Sequence, residues 1–228
     1  EVVVRKVPLQ LPDDFVGNVV LVKVEERIDK IGFAEHRLAD APVIRYFAGA
    51  SRIDGFAAVV AIVPSDVIWE GWGPQAKPGE VSSFSWQGEP LPFVPYLGME
   101  EEFAKYAIPG AVVRLRTPQD AGRRANPDRV PAARIRVEDI DEPVLVAGGD
   151  ADNTWNSGGM AQNIAERRAE PGGLETVALI YPGAGHALSG TGVQRTEGEF
   201  RSDEATLAAQ QEIWPATLAF LAEHLKGR

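Results

Sequence analysis

Three apolar runs punctuate a 228-residue chain: FAAVVAIVP at 56–64, PVLVAGG at 143–149 and LETVALIY at 174–181. Each is too short to be a full buried helix, is rich in β-branched residues and ends in glycine, proline or acidic residues, which predicts strands covered on both faces of a parallel sheet. Between the second and third, SGGMAQNIAERRAE has helical spacing, with Ser157 as its N-cap and Met160, Ala161 and Ile164 as its inner stripe. A closing helix is predicted from about Ser202 to Lys226, with Leu207, Trp214, Leu218, Leu221 and Leu225 on its buried face and a kink at Pro215. Strands alternating with helices imply βαβ units, an α/β class of fold, and functional groups gathered at the carboxyl ends of the strands. Three such ends carry chemistry: Glu35–His36, Asp150–Asp152 and the loop at His186.

The first half is less regular. EVVVRKVPLQ reads as a strand, VGNVVLVKVEERI as a strand or short helix, KIGFAEH as a short buried strand, and RLADAPVIRYFAGAS as a helix that must accommodate Pro42. From about 67 to 130 a segment rich in proline, glycine and tryptophan, with a helix at MEEEFAKYA, is predicted to be a lid-like insertion in a single domain spanning 1–228.

Composition narrows the function. With no cysteine the chain has no disulfide, thiolate metal site or cysteine nucleophile. Against 33 acidic residues stand 23 basic ones, a formal net charge of -10, which argues against a nucleic-acid partner. The runs Arg123–Arg124 and Arg167–Arg168 are expected on solvated faces. No run approaches bilayer-spanning length and no signal-peptide pattern opens the chain, so no membrane partner and a cytoplasmic location are expected.

Only three histidines are present, and one lies in PGAGHAL, a glycine-flanked turn directly after the third apolar run. A histidine held on a tight turn at a strand end is placed to move protons near neutral pH, and needs a carboxylate to orient it and a group to act on. His224, near the end of the closing helix, is expected to favour the helix carboxyl terminus.

The blocks AIVPSDVIWEGW, SFSWQGEPLPFVPY, IRVEDIDEPVLVAGGDADNTWNS, LIYPGAGHAL and EIWPATLAFLAEHL, taken together and in this order, resemble the α/β-hydrolase domain of acyl-CoA thioester hydrolases and bile-acid-CoA:amino-acid N-acyltransferases, with bacterial members the most similar. The resemblance implies an α/β-hydrolase-like, mostly parallel sheet flanked by helices, a small-molecule acyl substrate or ligand, and no cofactor. It implies that the catalytic acid is Asp152, with Asp150 the alternative, and that the base is His186. Trp69, Trp72 and Trp86 in the insertion are candidates to line an acyl pocket, with packing of the lid as the rival role.

The nucleophile is where the sequence departs from the family. A G-x-S-x-G elbow is expected, and IGFAEHRLADA occupies its place, with Ala34, His36 and Leu38 at the three defining positions. Ser51 offers a rival placement, but it leaves too few residues before Phe56 for a parallel crossover. Little chain precedes the elbow and no glycine-rich oxyanion loop is seen, so the amino-terminal strands are expected to be shortened or missing, which would expose a sheet edge and favour a homodimer. Two imidazoles and a carboxylate, His36, His186 and Asp152, then suggest an enzyme with non-standard acid–base chemistry; the alternative is an inactive homologue that binds a ligand or partner. With no H-x-H or H-E-x-x-H pattern, no metal is expected.

Overall fold

A computed structural model describes residues 19–23, 50–52, 56–71, 77–170, 172–189 and 203–225. Readings at 1–18 and 24–49, including the elbow with Ala34, His36 and Leu38, lie outside the described residues, as does Trp72.

Strands β1 (Val19–Lys23), β2 (Phe56–Ile62), β5 (Val144–Gly149) and β6 (Thr176–Tyr181) form one sheet in the order β1-β2-β5-β6. β1 runs antiparallel to β2, while β2, β5 and β6 are mutually parallel, with Val59 opposite Val144 and Val144 opposite Thr176. All seven residues of β2 and all six of β5 are buried, as their unbroken apolar runs predict for strands covered on both faces. Each such valine or isoleucine contributes about 1.5–3 kcal/mol of burial.

Residues 63–143 connect β2 to β5. They include the two-residue strands β3 (Ser85–Trp86) and β4 (Glu89–Pro90), and the helices α1 (Met99–Ala104), α2 (Arg116–Ala125) and α3 (Val130–Ala133). α1 matches the helix read at MEEEFAKYA. Helix α4 (Ser157–Ala169) crosses from β5 to β6 and buries Met160, Ala161 and Ile164 as expected. Its cap is Asn156, one residue earlier than expected, whose side chain accepts from the Gly159 amide at 3.3 Å. Ser157 is instead buried against the end of β5, where its hydroxyl meets the Gly149 amide at 3.2 Å.

Three expectations are corrected by packing. β6 is not a buried strand: among the described residues it pairs on one side only, and Val177 and Ile180 are 36% and 37% exposed. An apolar sequence cannot distinguish a central strand from the last one. The closing helix α5 (Glu204–Leu225) buries Thr206, Ala209, Gln210, Ile213, Thr217 and Phe220, and leaves Trp214 and Leu218 48% and 49% exposed. Its inner face is part polar because it serves main-chain groups of the loop after β6. Arg123 and Arg168 do not lie on freely solvated faces: the first is three-quarters covered and the second is buried. Arg123 makes a bidentate pair with the buried Asp66 at 2.6 and 2.7 Å. Arg168 is fully buried and spends its donors on Thr176 Oγ1 and the carbonyls of Val137, Ile140, Glu142 and Glu175. Among the described residues no helix is long and apolar enough to cross a membrane.

Candidate active site

The carboxyl ends of the adjacent strands β5 and β6 bring two loops together. The first, Asp150–Asn156, leaves β5; the second, Pro182–Leu188, leaves β6. The last residue of β5, Gly149, lets them meet, and Gly148 before it admits the start of α4. A Cβ on Gly149 would lie 2.2 Å from the Ala184 carbonyl oxygen, and one on Gly148 would lie 2.4 Å from the Ser157 carbonyl oxygen. The loops are then stitched by main chain: the Ala151 amide donates to the Ala184 carbonyl at 3.1 Å, and the Asp150 amide to that of Tyr181 at 3.3 Å.

At this junction Asp152 Oδ2 accepts a hydrogen bond from His186 Nδ1 at 2.9 Å. Asp152 is 0% exposed, and its Oδ1 accepts from the amides of Thr154 at 2.8 Å and Trp155 at 3.2 Å. With both oxygens engaged the carboxylate cannot rotate. The bond to Nδ1 holds the imidazole in the tautomer that presents Nε2 for proton transfer. Asp150, the alternative acid, does a different job: its Oδ1 accepts from the Gly183 amide at 2.6 Å and so ties the two loops together.

Support comes from two helices. At the start of α2, Arg116 Nη1 donates to the carbonyls of Asp150 and Asp152 at 3.0 and 3.2 Å, and Gln119 Nε2 donates to that of Thr154 at 2.9 Å. From α5, Thr206 Oγ1 accepts from the Gly185 amide at 2.8 Å, and Gln210 donates to the Ala187 carbonyl. Trp155, buried, sets its indole edge-on to the His186 ring, with centroids 4.3 Å apart and planes at 79°.

The aromatic ring that meets His186 is therefore Trp155, three residues after Asp152 in the sequence. Trp69 is 3% exposed, stacks on Tyr96 with centroids 5.6 Å apart, and donates from Nε1 to Ser65 Oγ at 3.0 Å, so it packs in the core. Trp86 is half-buried in β3, with the Arg52 guanidinium 5.6 Å from its ring centre. Ser51, the rival nucleophile, lines a small cavity with Arg52, Ile68, Pro92 and Arg134 that shares no residue with the Asp152–His186 pair. His224 Nε2 lies 3.1 Å from Glu175 Oε1, joining the end of α5 to the start of β6. Arg116, Gln119, Thr206 and Gln210 left no trace in the sequence pattern, because they act on main-chain carbonyls and amides that only the fold brings near. Among the described residues, no three histidine, aspartate or glutamate side chains are grouped to hold a metal ion.

No curated protein matches the chain. Among solved structures it is similar to a novel thermophilic esterase from the Planctomycetes species Thermogutta terrifontis, solved with butyrate bound, at 16% identity over 83% of this chain and 70% of that one. The TM-score of 0.31 is too low for that likeness to carry an argument. The model of the family described as BAAT / acyl-CoA thioester hydrolase C terminal matches residues 47–190, well over half of the chain, a span that takes in β2, β5, β6 and both loops of the Asp152–His186 pair. The parallel sheet, its flanking helices and this match agree, and the chain belongs to the BAAT / acyl-CoA thioester hydrolase C-terminal family, an α/β-hydrolase-type domain.

Proposed function

We propose that the protein acts on a small molecule derived from an acyl ester or thioester, by acid–base chemistry at the Asp152–His186 pair. The observation that carries this reading is the 2.9 Å bond from His186 Nδ1 to a fully buried carboxylate whose other oxygen is locked by two amides. A histidine that only stabilised a loop would not need so constrained a partner. In the proposed cycle Nε2 takes a proton from the substrate or from an attacking group and returns it to the departing group, while Asp152 holds the ring and stabilises its protonated form.

His36, at the elbow position by resemblance, is the second imidazole of this reading, as nucleophile or as a further acid–base group. Turnover of a panel of acyl thioesters and esters by wild type, His36→Ala and His186→Ala tests it. Both variants are expected to lose activity by about 100-fold or more, the scale of general acid–base catalysis; equal rates in all three refute the reading. The replacement of the elbow serine and both its glycines favours a second reading, an inactive homologue that keeps the pocket for binding. A small-molecule ligand that raises the melting temperature without being turned over, together with no acyl-enzyme formed by His36→Ser, supports that alternative.

A further inference from the structure

We propose that Arg116 is a positioning residue for the acid of the Asp152–His186 pair, acting from the connection between β2 and β5, a role that rests on the reading of the pair as a proton-transfer unit. Four carbonyls of the acid loop turn toward the first turn of α2. Arg116 Nη1 donates to those of Asp150 and Asp152 at 3.0 and 3.2 Å, the Arg116 amide to that of Asn153 at 2.8 Å, and Gln119 Nε2 to that of Thr154 at 2.9 Å. Three of these four bonds come from Arg116, through its main chain and its side chain together.

The placement of a guanidinium here follows from how the loop spends its other groups. The amides of Asp150 and Ala151 go to the carbonyls of Tyr181 and Ala184, and those of Thr154 and Trp155 go to Asp152 Oδ1. With its amides directed at the loop of His186 and at its own carboxylate, the acid loop presents its carbonyls to α2, and those carbonyls need donors. One Nη group carries two hydrogens, so it can serve two carbonyls at once, with bonds strengthened by its charge. The bonds to Tyr181 and Ala184 tie the start of the loop; those from α2 tie Asp152 and the two residues after it.

Arg116 is itself held in place. Its Nε donates to Asp120 Oδ2, one turn along α2, at 3.2 Å. α2 lies so close to the preceding segment that a Cβ on Gly122 would stand 2.0 Å from the Pro95 carbonyl oxygen. Near its other end Arg123 grips the buried Asp66, which also accepts from Asn163 of α4 at 3.0 Å. A continuous set of polar contacts thus runs from Asp66, just after β2, along α2 to the acid loop after β5.

The test compares Arg116→Met, which keeps the main-chain amide and removes the side-chain donors, with Arg116→Lys, which keeps the charge, and with Arg124→Met, the same loss of charge at an exposed position near the end of the same helix. Proton NMR of the wild type is expected to show a low-field, exchange-protected Nδ1–H resonance of His186, assigned by its absence in His186→Gln. Arg116→Met should broaden or lose it, Arg116→Lys should fall between, and Arg124→Met should match the wild type, with circular dichroism unchanged in all three. On an ester or thioester that the wild type turns over, Arg116→Met should lower kcat about tenfold with KM unchanged, and Arg116→Lys should recover part of it. Should Arg116→Met not fold, Arg116→Gln, with a neutral donor of shorter reach, is expected to show the same loss. The proposal is overturned if the folded Arg116→Met or Arg116→Gln protein keeps the resonance at wild-type position and linewidth, or if Arg124→Met loses it to the same extent. Absence of turnover in the wild type would refute the acid–base reading while the resonance still decides the positioning role.

Discussion

Replacing Gly149 by alanine should separate the two loops that carry Asp152 and His186 without touching either side chain. The added Cβ would stand 2.2 Å from the Ala184 carbonyl oxygen, 2.7 Å from its carbon and 2.8 Å from the Gly185 oxygen. All three are main-chain atoms, so no flexible side chain can yield. A carbon–oxygen contact settles near about 3.3 Å, so the loop must retreat by about 1 Å. The 2.9 Å bond from His186 to Asp152 would stretch to about 3.9 Å, past the reach of an N–H···O hydrogen bond of about 3.2 Å. Overpacking costs about 1–3 kcal/mol, and a hydrogen bond to a charged group about 1.5–3 kcal/mol. Urea denaturation should therefore register a loss of about 2.5–6 kcal/mol, and any turnover should fall with it. Gly148→Ala is the matched control: its Cβ meets the Ser157 carbonyl oxygen at 2.4 Å, so it strains the start of α4 instead. Both variants should be destabilised, and only Gly149→Ala should lose the His186 Nδ1–H signal. A Gly149→Ala protein of wild-type stability that keeps that signal refutes the claim that Gly149 is what lets the loops meet.

Two further outcomes concern the scaffold. Arg168→Met removes the donor from four main-chain carbonyls; those of Val137 and Glu175 keep the amides of Ile140 and Val144, those of Ile140 and Glu142 lose the guanidinium, and the change should cost about 2–6 kcal/mol in urea, at about 1–3 kcal/mol for each of those two acceptors; a loss under about 1 kcal/mol contradicts this account. Burial lowers the Arg168 pKa only to about 10, so the guanidinium is charged at neutral pH and Arg168→Lys, with fewer donors, should fall between the two. Glu70 is buried in the β2–β5 connection, and desolvation raises its pKa above the ordinary carboxyl value, partly offset by the amide of Gly79 at 2.8 Å. The folded protein then binds this proton more tightly than the unfolded chain, so the group makes stability fall as pH rises from the ordinary carboxyl value through the raised one. The stability of Glu70→Gln relative to wild type should increase over that window and be flat below it; parallel pH profiles for the two proteins would overturn the assignment.

The sequence by itself determined the strands β2 and β5, the helix α4 with its inner stripe, the extent of α5, and the two loops that carry Asp152 and His186. Those features are local: an unbroken apolar run, a 3.6-residue period, or a glycine-flanked histidine after a strand can each be read without knowing the neighbours. The resemblance also picked out Asp152 ahead of Asp150, and the structure shows Asp152 facing His186 while Asp150 accepts from Gly183. What only the tertiary structure decided is everything that depends on which neighbour an element has. β6 carries the same apolar signature as β2, yet lies at the edge of the sheet among the described residues, because strand order is not written in any one strand. α5 turns Thr206 and Gln210 inward in preference to Trp214 and Leu218, since the loop it supports presents an amide and a carbonyl that a leucine could not satisfy. Arg123 and Arg168 look like surface charges until Asp66 and a ring of carbonyls are folded around them. Trp155 was visible as a letter three places after the acid, and its contact with His186 exists only because two strands adjacent in space end at the same height.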